Sequence, residues 1–92
     1  MLILISYDIP NNKRRTKIAK ILLDYGERVQ YSVFECNLTV RQIKKLMKEL
    51  AAVVNDEEDS VRAYRLCAAC EQQVETMGQA EPPQEEPDVF LV

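Results

Sequence analysis

The chain has 92 residues, of which 47% are hydrophobic and 29% are charged, so we expect one small soluble globular domain. It contains no histidine and only two glycines, which excludes the usual histidine-dependent nucleophilic sites and a Gly-rich phosphate-binding loop. Three cysteines and the absence of a secretory signal predict reduced thiols in a cytoplasmic protein, and no apolar run is long enough to span a membrane.

The net charge of −3 conceals an uneven distribution of charge along the chain. Residues 1–70 contain all 12 basic residues and 9 acidic ones, whereas the last 22 residues contain six acids and no Lys or Arg. The body of the protein is therefore mildly basic and its tail acidic. A mildly basic body permits nucleic-acid binding but does not require it.

The first ten residues predict a central strand that carries one acidic residue at its end. Met1 to Ile5 are five apolar residues in a row, which indicates burial on both faces of a sheet. Pro10 has no N–H donor and two asparagines follow it, so we expect the strand to end near Ile9. Asp8 then lies where the strand leaves the core. An acid there is either a capping or turn residue, which is the commoner case, or a functional carboxylate.

Apolar residues at helical spacing predict a helix that begins near Lys13, after an asparagine cap, and ends at Gly26 in a left-handed conformation. Its first two turns are crowded with basic side chains: Lys13, Arg14, Arg15, Lys17 and Lys20. Positive charges near a helix N-terminus oppose the helix dipole. A bound phosphate would explain them, and a solvated basic face is the alternative.

The middle of the chain predicts two more sets of elements. Residues 27–38 are rich in strand formers and read as one long strand or as two short ones joined near Tyr31 and Ser32. Thr39 and Gln42 have the spacing of a capping box, so we expect a helix over about 40–54. Residues 55–59 form an acidic loop without the glycine and ligand spacing of a calcium site.

The C-terminal third predicts a strand over 60–66, a possible short strand over 73–77 and an acidic, proline-containing linker before four apolar residues at the end. Cys67-x-x-Cys70 is half of a zinc site or a redox pair, but one chain lacks the remaining zinc ligands. We interpret these cysteines as small structural thiols. The apolar end is expected to pair with a sheet edge of its own or of a partner.

The order β-α-β(β)-α-β predicts an α+β, ferredoxin-like split βαβ sandwich with an extra C-terminal strand. We place the domain at 1–78, and the acidic linker and C-terminal strand at 79–92. Both helices would cover one face of the sheet, so a second copy of the chain is the simplest cover for the other face.

The absence of histidine leaves Asp8 as the main candidate for chemistry. One carboxylate is too few to hold Mg²⁺ well, although this ion accepts water and substrate phosphate as further ligands. A two-fold dimer would supply a second Asp8. Metal-assisted phosphodiester hydrolysis at such a site needs no histidine.

Three blocks of the sequence stand out: Ile5-Ser6-Tyr7-Asp8, Gly26 to Glu35 with its Gln-x-Ser-Val-Phe-Glu sequence, and Ser60 to Leu66. Together they resemble the CRISPR-associated Cas-two family, the small CRISPR adaptation subunit that is also described as an endoribonuclease. They occur in the order and at the spacing of that family, and the resemblance extends over nearly the whole chain.

The resemblance implies a ferredoxin-like homodimer whose sheets face each other and whose C-terminal strands cross to the partner. It implies that Asp8 and its symmetry mate hold Mg²⁺, with Tyr7 beside the metal and Phe34 near the scissile bond. Arg28 and the basic residues of the first helix, Arg14 or Arg15 among them, would hold phosphate. The ligand would be double-stranded DNA or single-stranded RNA.

The resemblance further implies a complex with the Cas-one integrase, in which the dimer is the central spacer that holds a DNA duplex during spacer acquisition. The integrase performs the strand transfer there, so Asp8 does not by itself identify an enzyme. A stand-alone toxin-type ribonuclease of the same fold is the alternative function. A ferredoxin-like module that binds a small ligand is a third, which the basic first helix argues against.

Overall fold

The computed structural model describes residues 1–83, which form four strands and three helices. In chain order these are β1 (Leu2–Asp8), α1 (Asn12–Leu23), β2 (Glu27–Gln30), β3 (Val33–Asn37), α2 (Val40–Ala51), β4 (Ser60–Leu66) and the short helix α3 (Ala68–Glu71). None of the helices within residues 1–83 is long and apolar enough to cross a membrane.

The four strands form one antiparallel sheet in the order β2-β3-β1-β4. The apolar strand β1 therefore lies between two neighbours, and its Ile5 is opposite Phe34 of β3 and Ala63 of β4. A strand without a polar face needs burial on both sides and at both edges, which explains this central place. The ferredoxin-like α+β fold expected from the element order is confirmed.

The hydrophobic core lies between one face of the sheet and the helices α1 and α2. Alternate residues of β1 belong to it, because side chains of a strand alternate between the two faces. The helices contribute residues at helical spacing, so each has one buried stripe. The main members are Ile3, Ile5, Tyr7, Ile18, Leu22, Phe34, Cys36, Ile43, Leu46 and Leu50.

Both long helices begin at the residues that the sequence predicts as caps. The side-chain oxygen of Asn11 accepts a hydrogen bond from the Arg14 N–H at 2.9 Å. Thr39 and Gln42 form a complete capping box, with hydrogen bonds of 3.2 and 2.9 Å. Helix α2 ends at Ala51, three residues before the expected end, and residues 52–53 form a turn.

The segment 27–38 forms two short strands, so the second of the two sequence interpretations is correct. The turn between them exposes 87% of Tyr31, and a bulge lies between Arg28 and Gln30.

The left-handed conformation expected for Gly26 is wrong. Among the described residues, only Gly78 has a positive φ. A Cβ atom on Gly26 would instead lie 2.3 Å from the carbonyl oxygen of Glu35. Glycine is required there by close contact between chain segments.

The expected strand over 73–77 is wrong, because no strand follows β4 within residues 1–83. Cys67 caps the short helix α3, and the Asn37 amide donates a hydrogen bond of 3.1 Å to the Glu71 carboxylate. Residues 74–76 and 79–81 then line a cavity of about 660 Å³ against the sheet face that carries no helix, which we call the open face. The expected linker beyond residue 83 and the C-terminal strand lie outside the described residues.

Candidate metal and nucleic-acid site

Asp8 is the last residue of β1 and lies opposite Ser60, the first residue of β4. It is exposed, unlike Tyr7 and Ile9 on either side of it. The alternation of the strand places it on the open face, together with Ser6. Asp8 borders a small cavity of about 250 Å³, which is also lined by Ser6, Tyr7, Ser60, Arg62 and Tyr64.

The carboxylate of Asp8 makes no hydrogen bond or ion pair with another residue in the range 1–83. It is therefore available to an external cation, and a carboxylate is a ligand type that Mg²⁺ prefers. The described residues include no group of three or more Cys, Asp or Glu side chains that could hold a metal ion. One chain therefore offers a single carboxylate, which fits Mg²⁺ only with water, phosphate or a second chain completing its coordination.

Tyr7 and Phe34, the other two predicted site residues, belong to the core behind Asp8. Their rings stack with centroids 6.3 Å apart, and their exposed fractions are 5% and 0%. The backbone N–H of Tyr7 donates to the carbonyl of Ser32 at 3.1 Å, which ties the end of β1 to the β2–β3 turn. Tyr7 reaches the edge of the Asp8 cavity, whereas Phe34 is shielded by protein on all sides. In this conformation both rings position the backbone that carries Asp8.

Arg28 lies over the ring of Phe34, with its guanidinium carbon 5.2 Å from the ring centroid. A cation in this position is stabilised by the ring quadrupole. Arg28 is exposed in the edge strand β2, so its charge remains accessible to a ligand. Arg28 and Asp8 lie on different strands of the sheet, β2 and β1, with β3 between them.

The two arginines of α1 are held by contacts within the chain. Arg14 donates to Asp59 at 2.8 Å and to Glu58 at 2.7 Å. Arg15 donates to the carbonyl oxygens of Ile9 and Pro10 and also contacts the side chain of Asn12. Both guanidinium groups therefore stabilise the entry to α1. Phosphate binding by either one would compete with these contacts.

The lysines of α1 are exposed and make no ion pair within the described residues. Lys13, Lys17 and Lys20 line a shallow groove of about 600 Å³ that extends from α1 to Ala52 and Val53 after α2. We call this surface the lysine groove. Since the three charges lie on one side of one helix, they can face a single phosphate backbone.

Sequence reasoning missed Arg62, which lines the Asp8 cavity from β4. It lies opposite Ser6, two pairs away from the Asp8–Ser60 pair. The alternation of residues 60–66 does predict that Ser60, Arg62 and Tyr64 share one face of a strand. The sequence does not show that this strand is the neighbour of β1, and without that pairing Arg62 cannot be assigned to the Asp8 cavity.

The other side of the open face is acidic. Glu27 of β2 lies directly opposite Glu35 of β3. Burial raises the pKa of the Glu35 carboxyl, and the neighbouring charge of Glu27 raises this pKa further. The open face is thus not a uniformly basic surface. We expect a polyanion to bind at the lysine groove or near Arg62 and not over these two glutamates.

The ion pairs of Arg14 connect α1 to the acidic loop 55–59, which the sequence predicts only as a solvated loop. A hydrogen bond from Arg14 lowers the pKa of the Asp59 carboxyl, and hydrogen bonds to Asp59 and Glu58 raise the pKa of Arg14. Asp59 also accepts the backbone N–H of Asn55, and its side chain is shielded from solvent. The loop is therefore ordered by a cation that is distant in sequence but lies beside it in the fold.

Arg14→Met is expected to reduce the free energy of unfolding at pH 7, with the reduction disappearing in strong acid. The pKa of folded Asp59 is lowered, so its stabilisation is present above the ordinary aspartate pKa and is lost as the pH falls through the lowered value. Urea unfolding at several pH values measures the difference from wild type. Lys20→Met, an exposed change on the same helix, is the control. A deficit that persists unchanged in strong acid would contradict the ion-pair explanation.

Comparison with known proteins identifies the family. The family model described as "CRISPR associated protein Cas2" matches residues 1–74, which include all four strands of the sheet. The chain belongs to the Cas2 (Cas-two) family. It is 46% identical over 93 residues to a Chloroflexus aurantiacus protein named "CRISPR-associated endoribonuclease Cas2 1", with all of both chains covered.

Solved Cas2 structures share the fold. A structure of Streptococcus pyogenes Cas2 at pH 6.5 has a TM-score of 0.73 at 37% identity and covers 85% of this chain and 100% of its own. A chain from a "Partial Cas6-RT-Cas1--Cas2 complex" has a TM-score of 0.73 at 27% identity, with 94% of this chain and 93% of that one covered. The family expected from the sequence is confirmed.

Proposed function

We propose that this protein is a subunit of CRISPR adaptation that binds duplex DNA as a homodimer, together with the Cas-one integrase (Cas1). Membership of the Cas2 family supports the role in adaptation. A related chain comes from a complex whose title contains both Cas1 and Cas2, which supports the choice of partner. The observation that carries duplex binding is the lysine groove.

The lysine groove has the properties expected of a phosphate-backbone surface. Its three lysines are exposed and take no part in the ion pairs of Arg14, which also lines the groove, so the lysines do not have to be released from carboxylates before they bind phosphate. Lysine side chains act as mobile point charges and need no fixed bidentate geometry. They suit a ligand that is recognised by its backbone and not by its base sequence.

The open face supports the homodimer. Leu4 and Val33 lie on it with partial exposure, and the side chain of Tyr64 is 48% exposed. These apolar groups surround the polar pair of Ser6 and Arg62 near Asp8. Covering this face with a second copy would bury the apolar groups and bring two Asp8 carboxylates to one two-fold axis.

The duplex-binding proposal is tested by the salt dependence of affinity. Replacing both Lys13 and Lys17 by methionine is expected to weaken binding and to reduce the slope of log K against log salt by about two units, since each phosphate contact contributes about 0.9. A fluorescently labelled duplex of unrelated sequence and fluorescence anisotropy measure this slope. Lys44→Met with Lys45→Met removes two exposed charges from α2 and is the matched control.

An equal loss of slope in both double variants would contradict a specific role for the lysine groove. The Cas1 part of the proposal has its own test, which is copurification of this chain with a Cas1 protein of the same organism. Failure of the two proteins to associate, with duplex binding intact, would favour the stand-alone toxin-type ribonuclease instead.

A second candidate function is Mg²⁺-dependent phosphodiester hydrolysis at Asp8. The exposed carboxylate without an internal partner supports it, and so does the name of the Chloroflexus relative, an endoribonuclease. When bound, Mg²⁺ would stabilise negative charge on phosphate and favour an activated water. Asp8 would hold the ion, and Arg62 in the same cavity would donate hydrogen bonds to a phosphate oxygen.

A further inference from the structure

Two of the three cysteines lie together at the junction between β4 and α3. Cys67 is the N-cap of α3 and Cys70 lies within that helix, and both are exposed. The third, Cys36, is fully buried in the core and cannot reach them without unfolding. The described residues near this junction thus present one accessible pair of thiols.

The sulfur of Cys67 is in contact with the backbone of Cys70. The backbone N–H of Cys70 donates a hydrogen bond of 3.3 Å to Sγ of Cys67. A separation of three residues at the start of a helix places both side chains on the same side of the backbone. The contact therefore follows from the local fold and does not require another segment of the chain.

The contact makes the two thiols chemically different. The hydrogen bond from the Cys70 N–H lowers the pKa of the Cys67 thiol, whereas the neighbouring Cys67 raises the pKa of the Cys70 thiol. Burial raises the pKa of the Cys36 thiol to about 11, which favours its protonated, less nucleophilic form at neutral pH. An exposed thiol of lowered pKa beside a second exposed thiol is the arrangement of a nucleophile with its resolving partner.

We propose that Cys67 and Cys70 are a redox-active dithiol that closes to an intramolecular disulfide on reaction with a glutathione-type disulfide. From the sequence alone we interpret these two cysteines as structural thiols, because a redox pair of the thioredoxin type is expected at a helix start in a different fold. The structure changes this interpretation, since the short helix α3 holds the Cys67 sulfur against the backbone of Cys70 and leaves both side chains exposed. The proposal is independent of duplex binding and of Asp8.

The reaction uses two thiol-disulfide exchanges. The Cys67 thiolate attacks one sulfur of glutathione disulfide, forming a mixed disulfide and releasing one glutathione thiolate. The Cys70 thiol, after losing its proton to solvent, attacks Sγ of Cys67 and releases the second glutathione. The protein loses two electrons and two protons, and one glutathione disulfide becomes two glutathione thiols.

Closure would fix the first turn of α3. Glu71 in this helix accepts a hydrogen bond from Asn37 at the end of β3, so α3 is attached to the sheet. The segment that follows α3 lines the cavity on the open face. Oxidation of the pair would therefore affect the segment that follows α3. This segment lies against the open face, which is the face that we propose binds a second copy of the chain.

The test is intact-mass spectrometry of the full chain after incubation with glutathione disulfide, with acid quenching at successive times. Wild type is expected to lose two hydrogen atoms in mass without accumulating a glutathione adduct. Cys70→Ser is expected to accumulate one glutathione adduct on Cys67, because the resolving thiol is absent. Cys67→Ser is expected to react several-fold more slowly, because the thiol of lowered pKa is absent.

Three results would overturn the proposal. The first is a persistent glutathione adduct on wild type, and the second is an equal reaction rate of Cys67→Ser and Cys70→Ser. The third is complete protection of both thiols by added Zn²⁺ at one ion per two chains, which would make the pair half of a zinc site shared between copies. Both residues are exposed, so the serine variants are expected to fold, and circular dichroism checks this.

Discussion

Gly26→Ala is expected to lower the free energy of unfolding by about 3 kcal/mol, the upper end of the usual cost of overpacking. The new Cβ would lie 2.3 Å from the carbonyl oxygen of Glu35 and 2.5 Å from Sγ of Cys36. It would also lie 2.8 Å from Cα of Cys36, so two of its three nearest neighbours are backbone atoms of β3. Backbone in a paired strand cannot move aside without breaking hydrogen bonds to β1 or β2.

Urea unfolding followed by circular dichroism measures this loss. Gly78→Ala is the control, because Gly78 has a positive φ of 64° but no atom within 4 Å of its Cβ position. The control is expected to cost about 1 kcal/mol from backbone strain alone. Equal effects of the two substitutions would show that close contact at Gly26 is not the determining factor. Adding Cys36→Ala to the Gly26 variant is expected to restore only part of the loss, since the Glu35 contact remains.

Asp8→Asn is expected to reduce Mg²⁺-dependent cleavage of RNA or DNA by at least about 100-fold, which corresponds to roughly 2.7 kcal/mol of transition-state stabilisation. An amide is a neutral and weaker ligand for a hard cation than a carboxylate. The exposed position of Asp8 means that the substitution leaves the core unchanged. Loss of activity is thus expected without loss of stability.

Cleavage of labelled single-stranded RNA and double-stranded DNA, each with Mg²⁺ and then with EDTA, measures the effect. Asp56→Asn in the loop after α2 is the matched control, because Asp56 is equally exposed and lies outside the Asp8 cavity. Wild-type activity in Asp8→Asn, or activity that survives EDTA, would contradict hydrolysis at this site. Spacer acquisition that persists in Asp8→Asn would separate the adaptation role from catalysis.

Most of the fold could be predicted because its signals are local. The apolar run of β1 indicates a central strand, and the capping residues mark where α1 and α2 begin. The division of residues 27–38 into two strands was open, since it depends on a bulge and on pairing with β1 and not on residue type. The segment 73–77 has strand-like alternation, but Cys67 starts a helix just before it and the chain then crosses the open face. The contacts between this segment and the open face are tertiary, so they produce no periodic pattern in the sequence.

The site was predicted less completely than the fold. The place of Asp8 at the end of β1 follows from the strand and from Pro10. The contacts of Arg14 could not be foreseen, because Glu58 and Asp59 are 44 and 45 residues away. Charge alone does not say whether such a cation faces solvent, ligand or a carboxylate. The burial of Phe34 depends on the register of β3 with β1, which a shift of one residue would reverse.

The place of β1 in the sheet also constrains how the chain acquires its structure during synthesis. One edge of β1 pairs with β3, which follows closely in the chain, but the other edge pairs with β4. That second edge stays open until residues 60–66 have left the ribosome. An apolar strand with an open edge is a template for association with other chains. We therefore expect the nascent chain to be prone to association with other chains until β4 has paired with β1.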